Sequence, residues 1–174
     1  NYTTPSKTTV QDNISDQDQW AIRSLDCPQN GATIASSIIQ GNAIAICDAS
    51  YKDQFGTAGF VIQQGTSKDS RILGAKVTPG HTEEQNPYRS EVGGIFAVVI
   101  IVEAIITVFD IRSGTIELGC DCESGLTAIF EHEYDKPSQP HHDLIHEIRL
   151  KLASSPIEWK FKHVRGHQDK HVSF

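Results

Sequence analysis

The sequence predicts a single α/β domain, and three observations point to it. Short apolar runs bounded by glycine and turn residues recur five times, helical patterns separate the later ones, and 174 residues suit one core of ordinary size. The composition, 38% hydrophobic and 21% charged, is that of a soluble globular protein.

Residues 1–40 read as a polar leader and lead-in. Asn1–Gln19 is rich in Thr, Ser, Gln and Asp with almost no apolar anchors, so it is expected to be disordered or weakly attached. It also lacks the apolar stretch of a signal peptide. Within Trp20–Gln40, Ala32–Ile39 has strand-like content, but Gly31 and the Ser36–Ser37 pair favour a lead-in segment over a core element. The domain proper is expected over residues 41–174.

Asn42–Ser50 reads as the first strand, Thr57–Gln64 as the second and Arg71–Val77 as the third. Short turns at Gly56 and across Gln64–Ser70 make these three an antiparallel meander. After a polar loop, Tyr88–Phe109 reads as a helix buried nearly all round. Its 11 successive uncharged residues, Val92–Val102, are too many for an ordinary strand. A membrane span is the competing reading. It needs about 20 apolar residues, Glu103 interrupts the run, and the flanks are acidic where an inside flank would be basic. No membrane association is therefore expected.

Thr115–Asp121 is the fourth strand, and Glu123–His132 a short helix after it. His141–Ser154 follows as an amphipathic helix with Leu144, Ile145, Ile148 and Leu152 on one stripe. Ile157–Val164 alternates apolar and polar residues as a fifth strand. The order is βββ-α-β-α-α-β.

A net charge of −7 argues against a binder that relies on a broad basic surface. It does not exclude an enzyme whose carboxylates hold cations at a phosphate. Cys27, Cys47, Cys120 and Cys122 show no disulfide or zinc-ribbon spacing and read as reduced thiols. An intracellular protein, nuclear or cytoplasmic rather than secreted, is expected.

Three acids stand out against this background. Asp48 closes the apolar run Asn42–Asp48, Asp121 closes Thr115–Asp121, and Glu91 opens the long apolar helix. An acid at the end of a buried strand is costly unless its charge is compensated. Three that can converge suggest a divalent-cation site of hard oxygen ligands.

These segments resemble the type 1 ribonuclease H family. Cys47-Asp48-Ala49-Ser50 followed by Phe55-Gly56-Thr57-Ala58-Gly59 is similar to that family's first hairpin, and Arg89-Ser90-Glu91 to the approach to its second acid. Gly119-Cys120-Asp121-Cys122-Glu123-Ser124 resembles its third acid, and His163-Val164-Arg165-Gly166-His167 its loop histidine. The resemblance covers Asn42 to about Asp169, and several segments look closer to retroelement members than to stand-alone bacterial enzymes.

It implies a ribonuclease H-like α/β fold, a five-stranded mixed sheet with helices on both faces. It also implies endonucleolytic hydrolysis of the RNA strand of RNA–DNA hybrids by two Mg²⁺ ions, for which Mn²⁺ can substitute. Asp48, Glu91 and Asp121 would hold the metal, His167 would serve proton transfer or product release, and Ser50 and Ser124 would contact the 2′-hydroxyls that mark RNA. An adjacent reverse-transcriptase domain is an implied partner.

Two departures accompany this reading. The family's fourth acid lies in a helix after the histidine loop, and the sequence reaches Phe174 before such a helix, so the domain is expected to lack it. Asn86-Pro87-Tyr88-Arg89-Ser90 replaces the family's Asn-rich approach to the second acid.

Plainer readings remain open for each residue. Asp48 and Asp121 can cap the element that follows, Glu91 can be a first-turn acid favoured by the helix dipole, and His167 can be a solvated loop residue. Ser50 and Ser124 can simply close turns. His142 and His146, four apart on a helix, read as a solvated helix start. At the level of the whole chain, the alternatives are a non-catalytic ribonuclease H-like domain of a larger protein and a nuclease or integrase on the same fold that cuts DNA.

Overall fold

In the computed structural model, β1 (Ala43–Lys52) lies at the centre of a five-stranded sheet. With β2 (Phe55–Gln64), β3 (Ile72–Val77), β4 (Thr115–Cys120) and β5 (Glu158–His163), the order is β3-β2-β1-β4-β5. The structure describes residues 9–22, 25–52, 55–67, 69–77, 87–120, 129 and 142–163. Within strands and helices, the side chains at 48–52, 55–58, 75–77, 87–90 and 142 lie outside that description.

β1, β2 and β3 pair antiparallel, whereas β1–β4 and β4–β5 pair parallel, as the sequence predicts for a mixed sheet. Parallel neighbours need crossovers, and two helices supply them. α2 (Pro87–Val108) joins β3 to β4, and α3 (His142–Ser154) precedes β5. The expected short helix at Glu123–His132 falls outside the described residues except for Ile129, which is helical and buried.

Strand alternation sets the core. Ala43, Ala45 and Cys47 of β1 are buried and register with Ile116, Leu118 and Cys120 of β4, all fully buried. Phe60 and Ile62 extend this row across β2. α2 packs over β1 and β2, and α3 packs on α2 through Leu144, Ile145 and Ile148.

By length and composition, Glu91–Val108 would suffice to cross a membrane, but 78% of it is buried inside the fold. It is the central core helix. β5 is an edge strand: Trp159 packs on the core, while Lys160, Phe161, Lys162 and His163 are exposed.

Two segments differ from expectation. Ala32–Gln40 is not a lead-in with strand-like character but a helix, α1. Its buried residues Ile34, Ala35 and Ile38 follow helical spacing, and Ser37 donates back to the Thr33 carbonyl at 2.9 Å. Gly41, in the left-handed region at φ 82, ends it: Gly41 N–H donates to the Ile38 carbonyl and Asn42 N–H to the Ser37 carbonyl, a Schellman closure.

The second is the stretch 9–22, which packs on the core rather than hanging loosely. Val10 and Ile14, four apart, are buried, and the Trp20 ring tilts against Phe96 of α2 at a centroid distance of 5.6 Å. A few well-placed apolar residues suffice to anchor a polar segment. The chain then runs along the outer edge of β3, where Asp26 and Leu73 exchange backbone hydrogen bonds at 2.8 and 3.0 Å and cover the open edge.

Candidate active site

The site grows from the register of the two central parallel strands. The last β1–β4 pair is Cys47↔Cys120. Asp48 follows Cys47 and Asp121 follows Cys120 directly in the sequence.

Asp48 does not end its strand, however. β1 continues to Lys52, paired with β2 throughout, with Asp48 opposite Gly59.

Glu91 comes from the other side. α2 begins at Pro87, a favourable first helical residue, so Glu91 lies in the second turn rather than the first. The helix dipole fades beyond the first turn, which weakens the reading of Glu91 as a dipole-stabilising acid. The carboxylate is half-buried, and Oε2 accepts a weak hydrogen bond from the Cys120 thiol at 3.8 Å. This contact brings the helix acid to the end of β4, next in sequence to Asp121.

Of the residues singled out from the sequence, Asp48 and Glu91 are placed by the structure, the former by its backbone. Ser50 lies on β1 opposite Thr57, its side chain outside the described set. Asp121, Ser124 and His167 lie outside the described residues, as does Asp169. No three His, Cys, Asp or Glu side chains among the described residues are grouped to hold a metal ion. As chemistry, three carboxylates suit a hard divalent cation that takes oxygen ligands.

The sequence reading passed over Cys120 as a functional neighbour. A signal was available: in the buried row Ile116, Leu118, Cys120, only the residue at the site end can donate a hydrogen bond. At Cys27, by contrast, burial, helped by the charge of Asp26, pushes the thiol up to about 11 and disfavours the thiolate.

A second polar cluster lies along α2, away from this site. Glu103 is 12 residues from Glu91, roughly 18 Å along the helix. Its carboxyl is raised above its ordinary value by burial, partly offset by a hydrogen bond from Ser155 and by the charge of Lys151. Its Oε1 is buried with no hydrogen-bond partner among the described residues. Ser155 also accepts from Trp159 Nε1 at 3.1 Å, and Lys151 pairs with the buried Asp18 at 3.7 Å. This cluster ties α2, α3, β5 and the N-terminal segment together.

No family model and no curated protein matches the chain. Solved structures do. The chain is similar to LC11-RNase H1 in complex with an RNA/DNA hybrid, at TM-score 0.54 and 12% identity, covering 74% of this chain and 89% of that one. It is similar also to LC11-RNase H1 isolated from compost by a metagenomic approach, at TM-score 0.50 and 13% identity, covering 75% and 89%. A ribonuclease H1 from the archaeon Halobacterium salinarum aligns at TM-score 0.45 and 17% identity, over 75% and 90%. The sheet order and the similarity to the hybrid-bound LC11-RNase H1 define the class: the chain has the ribonuclease H-like fold.

Proposed function

We propose that this domain hydrolyses the RNA strand of RNA–DNA hybrids endonucleolytically, leaving 5′-phosphate and 3′-hydroxyl ends. One observation carries the reading: the contact between Glu91 and Cys120 brings a helix carboxylate to the end of β4, beside the pair Cys47↔Cys120 whose next residues in sequence are Asp48 and Asp121. The hybrid bound to one structural relative supports the same substrate class.

In this proposal Asp48, Glu91 and Asp121 hold two Mg²⁺ ions, or Mn²⁺ in their place. When bound, the metal supplies charge stabilisation for the attacking and leaving oxygens of an in-line displacement. The chain's own contribution is placement. Asp48 rides on the central strand β1 and Glu91 on the core helix, elements too rigid for the ligands to drift, and Asp121 follows the last residue of β4 in sequence. His167 moves a proton at the leaving oxygen or assists product release, and Ser50 and Ser124 contact the ribose 2′-hydroxyls that separate RNA from DNA. An intracellular setting and an adjoining reverse-transcriptase domain belong to the same proposal. So does a retroelement origin.

The test is Mg²⁺-dependent cleavage of a hybrid duplex by the wild type, Asp48→Asn and Asp121→Asn. Cleavage that survives either substitution would sink the assignment. The second reading, a non-catalytic domain that keeps the fold, is favoured by the net charge of −7, which repels a polyanion. Metal titration separates the two, because a catalytic carboxylate cluster binds Mn²⁺ and a degenerate one does not.

A further inference from the structure

We propose that Cys120 is a positioning residue, whose thiol hydrogen holds the Glu91 carboxylate in its metal-binding conformation at the end of β4. The inference rests on the two-metal reading above and assigns a role to a side chain outside the ligand set.

Cys120 is fully buried and its backbone is paired on both sides, with Cys47 on β1 and His163 on β5. Its sulfur therefore has little freedom to move. Glu91 has more: it is half-buried, on a side chain with three rotatable bonds, and fixing such a chain costs conformational entropy. A ligand that bridges from a helix to a strand end must be held to about 0.5 Å to be useful.

The 3.8 Å contact from Cys120 Sγ to Glu91 Oε2 spans that gap. A thiol is a weak donor, but a charged acceptor strengthens the bond. Packing alone does not call for sulfur here. The two preceding inward positions of β4 are Ile116 and Leu118, and an apolar residue would continue the row. β1 likewise changes from Ala43 and Ala45 to Cys47 at the site end. Hydrogen-bonded neighbours of metal ligands commonly act this way, fixing the orientation of the ligand and raising affinity.

The experiment compares the full chain with Cys120→Ala, Cys120→Val and Cys120→Ser. Mn²⁺ binding is followed by electron paramagnetic resonance without nucleic acid, and the fold is checked by circular dichroism. Affinity should fall about tenfold in the Ala and Val variants, the lower end of what such neighbours contribute. Serine restores a donor and should recover most of the affinity.

In metal-free protein, the S–H stretching band lost in Cys120→Ala should move to higher frequency in Glu91→Ala, as a thiol released from an acceptor does. Ala and Val variants that bind Mn²⁺ as tightly as the wild type would overturn the inference while leaving the two-metal reading intact. So would an S–H band unmoved in Glu91→Ala. A wild type that binds no Mn²⁺ would overturn both.

Discussion

The Cys120 thiol donates to Glu91 Oε2 across 3.8 Å, tying the last residue of β4 to the second turn of α2. Sheet and core helix thus meet at the point where the candidate ligands belong. The helix is anchored by Val92, Ile95 and Phe96 immediately after Glu91, all buried. Glu91 is held by the core beneath it and by the strand beside it.

Glu91→Gln should accordingly separate chemistry from folding. The amide keeps the shape of the side chain and an acceptor for Cys120, but loses the charge that a cation needs. Hybrid cleavage should fall at least about 100-fold, equivalent to about 2.7 kcal/mol of transition-state stabilisation. The thermal midpoint should hold or rise slightly, since a half-buried charge is removed. Parallel cleavage assays and calorimetry on wild type and variant check this; a large drop in thermal midpoint would point to a structural role.

Gly74 presents a different constraint. It lies directly across from Phe60 in the β2–β3 pairing, and the Phe60 ring fills the space that a side chain at 74 would need. Phe60 is among the largest fully buried side chains, so the ring has no easy retreat. Gly74→Ala should destabilise the fold by about 1–3 kcal/mol through overpacking, read by urea denaturation. A variant as stable as wild type would show that the ring is free to move.

The sheet was legible because its strands carry the pattern that defines them. Ala43–Cys47 and Ile116–Cys120 are short, apolar and bounded, and α2 is too long and uniformly apolar to be anything but a buried helix or a membrane span. Less legible was where pairing stops. Sequence alone places Asp48 at a strand end, but β1 runs on to Lys52 because β2 continues beside it, a property of the partner rather than of β1. α1 is hard to read from sequence because Ile34, Ala35, Ile38 and Ile39 are β-branched or small, and local preference is weak evidence against the tertiary packing that buries three of them. In the candidate site, the sequence marks Asp48, Glu91 and Asp121 only by where their apolar runs begin and end. The Cys120–Glu91 contact joins residues 29 apart and depends on helix placement, which no local pattern encodes.

Trp20 tests whether the N-terminal segment belongs to the cooperative core. It is partly buried, packs on Phe96 with tilted rings, and stands between the buried Asp18 and the edge of β3 in sequence order. Trp20→Ala should cost about 3 kcal/mol, the low end for removing a large aromatic from a core, because the ring is not fully enclosed. Chemical denaturation should then show a lower midpoint with one transition. An unchanged midpoint would mean that the segment rests on the core without stabilising it.

Glu103 makes stability depend on pH in a stated direction. Burial raises its carboxyl above the ordinary value, more than the Ser155 hydrogen bond and Lys151 lower it. The folded protein therefore holds a proton that the unfolded chain has already released as pH climbs past the usual carboxylate range. Between the unfolded and folded pKa the native state binds more protons, so this group's contribution falls as pH rises and levels off above the folded value. At neutral pH the carboxylate is a net cost, with Oε1 buried and lacking a hydrogen-bond partner among the described residues.

Glu103→Gln removes the titration. It should stabilise the domain at pH 7 by less than about 1 kcal/mol, since the group is part-solvated and screened, and flatten this limb of the profile. Urea denaturation of both proteins across the weakly acidic range checks the sign. A variant less stable than wild type at pH 7 would mean that attraction to Lys151 and the Ser155 bond outweigh burial. Because Lys151 also pairs with Asp18, the measurement should be repeated in Asp18→Asn, where an unpaired Lys151 should lower the Glu103 pKa and shrink the gain from Glu103→Gln.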